Sequence, residues 1–231
     1  MIFRQLFERE SSTYTYLIGC EQTREAVLID TVKSEVNRYL QLLDELNLKL
    51  VYVLDTHTHA DHITGAGALR DATGACTLLG EEAKSACVSK PMHHGEIIKV
   101  GHIAIEALHT PGHTDDSYSF ILEDNSQYYA FTGDTLLIRG TGRTDFQNGN
   151  AADQYVSLFD YLLKLPDNTW VYPGHDYKGW TVSTIAEEKA HNPRLQVKDV
   201  AEYIALMGNL KLPNPTLMDI AVPANRACGK V

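Results

Sequence analysis

No stretch of this chain approaches the roughly eighteen consecutive apolar residues of a membrane-spanning helix, so no such helix is expected. Basic residues are scarce. The 20 Lys and Arg stand against 30 Asp and Glu, a formal net charge of −10. Nucleic acid and anionic membranes require a positive surface, so neither is expected as a partner. A small anionic substrate needs only a local basic pocket. The N-terminus, Met1-Ile2-Phe3-Arg4-Gln5-Leu6-Phe7, lacks the basic segment and apolar core of a signal peptide, which makes the cytoplasm the expected location. Cysteine is sparse and scattered: Cys20, Cys76, Cys87 and Cys228, with no Cys-x-x-Cys pair. These are read as reduced, mostly buried thiols of a reducing compartment. Cys228, near the C-terminus beside Gly229, is the one expected to be exposed. No internal repeat or low-complexity stretch occurs.

What is present suits an ordinary globular protein. Of the 231 residues, 44% are hydrophobic and 22% charged, enough to bury a core without covalent staples. Residues 1–231 are read as a single domain. Tyr14 to Gly19, Ala26 to Asp30 and Leu50 to Leu54 read as strands. Lys33 to Leu46 places Val36, Leu40, Leu43 and Leu46 at helical spacing, and Thr64 to Ala72 reads as a second helix. Glu96 to Val100, Ile103 to Leu108, Ser117 to Leu122 and Tyr128 to Thr132 read as consecutive strands. A helix over Ala151 to Leu165 stops at Pro166, and a short strand, Trp170 to Tyr172, follows. Thr184 with Glu187 forms a capping box for a helix ending before Pro193. Val197 to Met207 is another helix, and Leu212 to Val231 is expected to be extended and packed over the body. Strands and helices alternate in two halves, which predicts a layered α/β domain.

His57-Thr58-His59-Ala60-Asp61-His62 follows directly after a predicted strand. Three imidazoles and a carboxylate within six residues are hard to explain as core packing. Neutral imidazole and carboxylate are ligands for zinc, iron or manganese, and a strand end gives them rigid support. His113 in Thr110-Pro111-Gly112-His113-Thr114, Asp134 in Phe131-Thr132-Gly133-Asp134-Thr135 and His175 in Tyr172-Pro173-Gly174-His175-Asp176 recur at strand ends beside glycine. Glycine lets backbone approach a crowded centre. Together they make seven ligand-type side chains.

These motifs, in this order, resemble the metallo-β-lactamase superfamily. The resemblance implies an αββα four-layer sandwich with the site at one edge of its two sheets. Within the superfamily, Asp134-Thr135-Leu136-Leu137-Ile138-Arg139-Gly140 and Gly142-Arg143-Thr144-Asp145-Phe146-Gln147 resemble the persulfide dioxygenase family, also known as the ethylmalonic encephalopathy protein family. So do His175-Asp176-Tyr177, Ser183-Thr184, Glu187-Glu188, Asn192-Pro193-Arg194-Leu195, Met207-Gly208-Asn209-Leu210 and Ala221-Val222-Pro223-Ala224-Asn225. The likeness covers nearly the whole chain. No rhodanese-type segment follows, so it is to the single-domain form, with a C-terminal helix and an extended tail.

The family's activity is oxidation of glutathione persulfide by O2 to sulfite and glutathione, in sulfide catabolism, at a mononuclear non-haem iron. Carried onto this chain, one Fe(2+) is held by His57, His113 and Asp134, which are also the catalytic set. His59, Asp61, His62 and His175 then orient those ligands or form an unused second site. Arg143, Tyr177 and Arg194 are expected to bind substrate, because guanidinium groups pair with the carboxylates of glutathione. A homodimer is compatible with this reading. Two other functions fit parts of the pattern. A binuclear hydroxyacylglutathione hydrolase of the glyoxalase II type would use all seven ligands and a metal-bound hydroxide. A non-catalytic persulfide-binding protein would use the pocket without turnover.

Overall fold

The computed structural model describes residues 1–212 and 217–229. Twelve strands form two sheets of six. The first sheet takes β1 (Ile2–Phe7), β2 (Tyr14–Gly19), β3 (Glu25–Ile29), β4 (Lys49–Leu54), β5 (Cys76–Gly80) and β6 (Lys90–Met92) in chain order. β1, β2 and β3 pair antiparallel, and β3 to β6 run parallel. The second sheet takes β7 (Glu96–Val100), β8 (Ile103–His109), β9 (Tyr118–Asp124), β10 (Gln127–Gly133), β11 (Trp170–Pro173) and β12 (Ser183–Thr184), again in chain order from one edge. Only β10 and β11 are parallel in it.

Six α-helices cover the sheets: α1 (Val36–Glu45), α2 (Ala66–Thr73), α3 (Ala151–Val156), α4 (Ile185–His191), α5 (Val200–Gly208) and α6 (Met218–Arg226). Alternation along the strands explains the layers. Tyr16 and Ile18 of β2, Val27 and Ile29 of β3, and Phe120 and Phe131 of β9 and β10 face one another between the sheets. Leu17, Leu28 and Val53 face outward against Tyr39 and Leu43 of α1 and Leu69 of α2. On the far side, Ile121, Ala130 and Val171 pack against Leu158, Leu162 and Tyr203. Helix, sheet, sheet and helix are therefore the four layers of the expected αββα sandwich.

Several local expectations need correction. β1, β5 and β6 were not foreseen. β1 is an edge strand with no fully buried residue, so it carries no clear alternation, and β5 and β6 are short. The helix from Ala151 carries on past Val156 through a wider i→i+5 turn over Ser157–Tyr161 and a tight 3-10 turn over Leu162–Lys164. The tail expected to be extended contains α6. Its buried positions, Ala221, Ala224 and Asn225, lie on one face. Two of them are alanines, too small to mark an apolar stripe in the sequence, and Pro223 sits within the helix. The part of that tail at 213–216 and 230–231 lies outside the described residues.

The cysteine expectation also fails for one pair. Cys87 and Cys228 form a disulfide, and Cys228 is only 3% exposed. The two are 141 residues apart, so only the fold brings them together. Of the free thiols, Cys20 is buried and Cys76 is exposed.

Candidate metal centre

The loops that follow β3, β4, β8, β10 and β11 meet at one edge of the sandwich. They carry Asp30, His57 to His62, His113, Asp134 and His175 respectively. Backbone bonds tie the loops together there, two of them between the sheets. Gly174 N–H donates to the Gly133 carbonyl (2.8 Å), Tyr14 N–H donates to the Gly174 carbonyl (2.8 Å), and Tyr118 N–H donates to the Thr56 carbonyl (2.7 Å). All seven ligand-type side chains converge at this edge.

They sort into groups. One ligand atom each from His57, His113 and Asp134 lie within 4.8 Å of one another, as do those of His59, Asp61 and His62. His113 Nε2 is 3.6 Å from Asp134 Oδ2. The ring tautomers follow from their partners. His113 Nδ1 faces the Arg143 carbonyl at 2.8 Å, which can only accept, so Nδ1 carries the proton and Nε2 keeps a lone pair. Thr56 Oγ1 donates to Asp30 Oδ2 (2.9 Å) and so accepts from His57 Nδ1–H (2.9 Å), again freeing Nε2. Two imidazole nitrogens and a carboxylate on one face are a donor set that fits a divalent transition metal with open positions.

His175 differs. Its Nδ1 lies 2.7 Å from Asp134 Oδ1 and its Nε2 lies 2.8 Å from Asp61 Oδ2, so both nitrogens donate. Burial opposes charge on this ring, yet the two carboxylates outweigh it and hold His175 well above the usual histidine range. Burial would raise the two acids, but His175 holds both Asp134 and Asp61 far below the carboxylate range. Burial, with His59 and His113 alongside, pushes His57 well down. His59 is also buried, but Asp30 brings it up to about 9. His59 Nδ1 and His62 Nε2 are buried without a hydrogen-bond partner among the described residues.

Sequence reasoning missed the residues that hold this loop. Asp30 accepts from the Thr56 N–H and faces His59 Nε2. Asp116 accepts from the Thr58 N–H (3.0 Å) and hydroxyl. Thr13 Oγ1 sits 3.2 Å from His62 Nδ1 and 3.1 Å from His175 Nε2. Asn225 of α6 donates to the His59 and His62 carbonyls. Each is an ordinary polar residue far along the chain from the motif it serves, so no local signal marked it.

A cleft of about 490 Å³ opens onto His113, Asp134 and His175. The 137–142 segment forms one wall. The fully buried carboxylate of Glu188 fixes it, accepting from the Arg139 N–H (2.8 Å), the Ser183 hydroxyl (2.6 Å) and Asn192 Nδ2 (2.9 Å). The three residues expected to bind substrate all line the cleft. Arg143 forks onto Asp145 and lies 3.8 Å over the Phe146 ring. Tyr177 is 70% exposed and stacks on His175. Arg194 donates to the Thr141 carbonyl and hydroxyl, with no carboxylate partner among the described residues. Burial lowers its pKa.

A two-sheet sandwich with a histidine–carboxylate cluster at one edge defines a class of metal-binding proteins. The family model of the metallo-β-lactamase superfamily matches residues 9–175, and the chain belongs to that superfamily. It is 48% identical over 229 residues to the mitochondrial persulfide dioxygenase ETHE1 of Mus musculus, covering 99% of this chain and 89% of that protein. The crystal structure of ETHE1 from Myxococcus xanthus superposes with a TM-score of 0.95 at 58% identity, over 99% of this chain and all of that one. A probable hydroxyacylglutathione hydrolase of Schizosaccharomyces pombe is 39% identical over 168 residues, covering 71% of this chain and 64% of that protein. Within the superfamily, the chain belongs to the persulfide dioxygenase family.

Gly142 tests the geometry of the centre. A Cβ there would meet the Asp134 carbonyl at 2.3 Å and His113 Nδ1 at 2.7 Å. Gly142→Ala should displace the His113 ring and lower metal affinity by about 10–100-fold, the range for changes that disturb ligand orientation. Metal analysis after equilibrium dialysis checks it. Wild-type affinity in a folded variant would contradict the close approach.

Proposed function

We propose that this protein is a persulfide dioxygenase: glutathione persulfide, O2 and water give glutathione and sulfite at a single Fe(2+) held by His57, His113 and Asp134. The observation that carries the reading is the separation of that donor group from His175, whose two nitrogens are both committed to carboxylates. With those protons in place His175 has no lone pair to offer a second metal, and it occupies one carboxylate oxygen each of Asp134 and Asp61. Whole-chain likeness to named persulfide dioxygenases supports the same reading.

When bound, iron supplies the redox change that oxygen chemistry requires and leaves part of its coordination open to reactants. The chain supplies the rest. The Arg143 carbonyl and the Thr56 hydroxyl fix the tautomers of His113 and His57, so each presents Nε2. His175 holds the Asp134 and Asp61 carboxylates in position. Arg194, half-buried and without a carboxylate partner among the described residues, is suited to take a carboxylate of the glutathione moiety. Tyr177 offers an exposed ring and hydroxyl to the rest of the tripeptide. The cleft holds the persulfide in a fixed relation to the metal ligands, which converts an encounter into a positioned reaction. In the overall change the outer sulfur of the persulfide gives up the electrons that reduce O2.

A second reading has its own observation. His59 Nδ1 and His62 Nε2 have no hydrogen-bond partner among the described residues and lie beside Asp61, as ligands of a second metal would. That arrangement favours a binuclear hydroxyacylglutathione hydrolase, provided His175 gives up one of its two ring protons. Cytoplasmic residence belongs to the proposal as well. Among the described residues no helix is long and apolar enough to cross a membrane, while the mammalian relatives are named as mitochondrial.

The activity is checked with protein loaded with Fe(2+) anaerobically. On addition of glutathione persulfide it should consume O2 and release sulfite. Hydrolysis of S-lactoylglutathione with the persulfide left untouched would replace this reading with the hydrolase. Metal content should reach one per chain. Alanine at His57, His113 or Asp134 should abolish iron binding, whereas alanine at His175 should weaken it by about 10–100-fold. Binding of two metals per chain, or complete loss of iron from the His175 variant, would overturn the mononuclear assignment. Arg194→Ala should raise KM by about 10–100-fold, the scale of a lost charge-assisted bond, with a smaller fall in kcat. Unchanged kinetics would remove Arg194 from substrate binding.

A further inference from the structure

We propose that Asn225 positions the metal-ligand loop and that the Cys87–Cys228 disulfide holds Asn225 in place, so that metal retention follows the redox state of that disulfide. The inference rests on the loop binding a metal and not on persulfide oxidation.

Asn225 is 5% exposed and uses its whole amide on one loop. Nδ2 donates to the His59 carbonyl (2.9 Å) and the His62 carbonyl (2.8 Å), and Oδ1 accepts from the Thr64 N–H (2.8 Å). These three backbone groups span the His59-Ala60-Asp61-His62 segment and the start of α2. Removing the amide leaves three buried backbone groups without this partner, and restoring their bonds requires the loop to move. The side chains of His59, Asp61 and His62 move with that backbone, which begins two residues after His57.

The helix that carries Asn225 has little to hold it by itself. α6 has nine residues, no side-chain cap at its N-terminus and Pro223 in its interior. A helix so short is marginal in water, and an interior proline removes one of its bonds. Its C-terminal end is anchored instead. Cys228 N–H donates to the Asn225 carbonyl (3.0 Å), and Lys33 Nζ donates to the Gly229 carbonyl (2.7 Å). The Cys228 carbonyl packs onto α2 at Gly67, where a Cβ would come within 2.2 Å of it. The covalent anchor is the disulfide, three residues from Asn225, tying this end to the loop that carries Cys87.

The disulfide is also placed for exchange. Cys87 is half-buried and Cys228 is buried, so Cys87 is the more open side of the bond to an attacking thiolate. The Cys87–Cys228 bond breaks, a mixed disulfide forms on Cys87, and Cys228 leaves as thiolate. Arg70 Nη1 lies 4.0 Å from the Cys228 sulfur and donates to the Cys87 carbonyl (2.6 Å). A cation beside the leaving sulfur favours its departure. A second low-molecular-weight thiol then attacks the mixed disulfide. Cys87 is released as a thiol, and the two small thiols leave joined as their own disulfide, having given up the pair of electrons that the protein disulfide gains.

The test uses the full chain and Fe(2+) alone as probe. Protein is reduced with dithiothreitol, freed of it anaerobically, and compared with the oxidised form in a competition against a chelator. Reduced wild type and oxidised Asn225→Ala should both bind iron more weakly, the latter by about 10–100-fold. Re-oxidation should restore the wild type. Cys87→Ser should match reduced wild type and no longer respond to thiol. Cobalt(II) bound in place of iron reports geometry directly: its visible ligand-field bands should shift in Asn225→Ala and on reduction. Equal iron affinity and identical cobalt spectra in oxidised and reduced wild type would overturn the disulfide's role. The same result in folded Asn225→Ala would overturn the positioning role. If that variant does not fold, the wild-type and Cys87→Ser comparison decides whether the disulfide governs the loop.

Discussion

Gly174 joins the two sheets through its own peptide group. Its N–H reaches the Gly133 carbonyl at the end of β10, and its carbonyl takes the Tyr14 N–H at the start of β2. A side chain there would displace the Asp134 carboxylate, because a Cβ would lie 2.8 Å from Asp134 Oδ1. This one seam brings Asp134, His175 and Thr13 into a single cluster, since Asp134 follows Gly133, His175 follows Gly174, and Thr13 precedes Tyr14. The interior between the sheets, with Tyr16 and Phe131 at 4.9 Å, holds the seam from behind. The metal centre is thus a consequence of how two sheets close at one edge.

Within that edge, one imidazole between two carboxylates sets the balance of charge. His175 competes with any second cation for the same oxygens of Asp134 and Asp61. A donor list of seven residues does not by itself fix how many metals bind. What decides is where the protons sit, and both nitrogens of His175 face carboxylates that retain their charge when buried beside it.

Support for the centre comes from residues with no chemistry of their own. Asp30, Asp116, Thr13 and Asn225 bind backbone groups and ring nitrogens of the loop and hold it in place. Orientation of this kind lets short loops on strand ends hold a metal at defined geometry.

The sequence by itself determined the strand-end motifs, the layered α/β class and, through His57-x-His59-x-Asp61-His62 and the 134–147 segment, the superfamily and the family within it. Those features are local: ligand spacing and strand-to-loop order are written in consecutive residues. Only the tertiary structure decided the hydrogen-bond partners of His175, the Cys87–Cys228 pairing, the helix at Met218–Arg226 and the service of Asn225 to a loop 160 or more residues away. Each depends on contacts between segments far apart in the chain, on small residues such as Ala221 and Ala224 that mark no apolar stripe, or on the placement of a proton. None of these leaves a periodic or compositional trace.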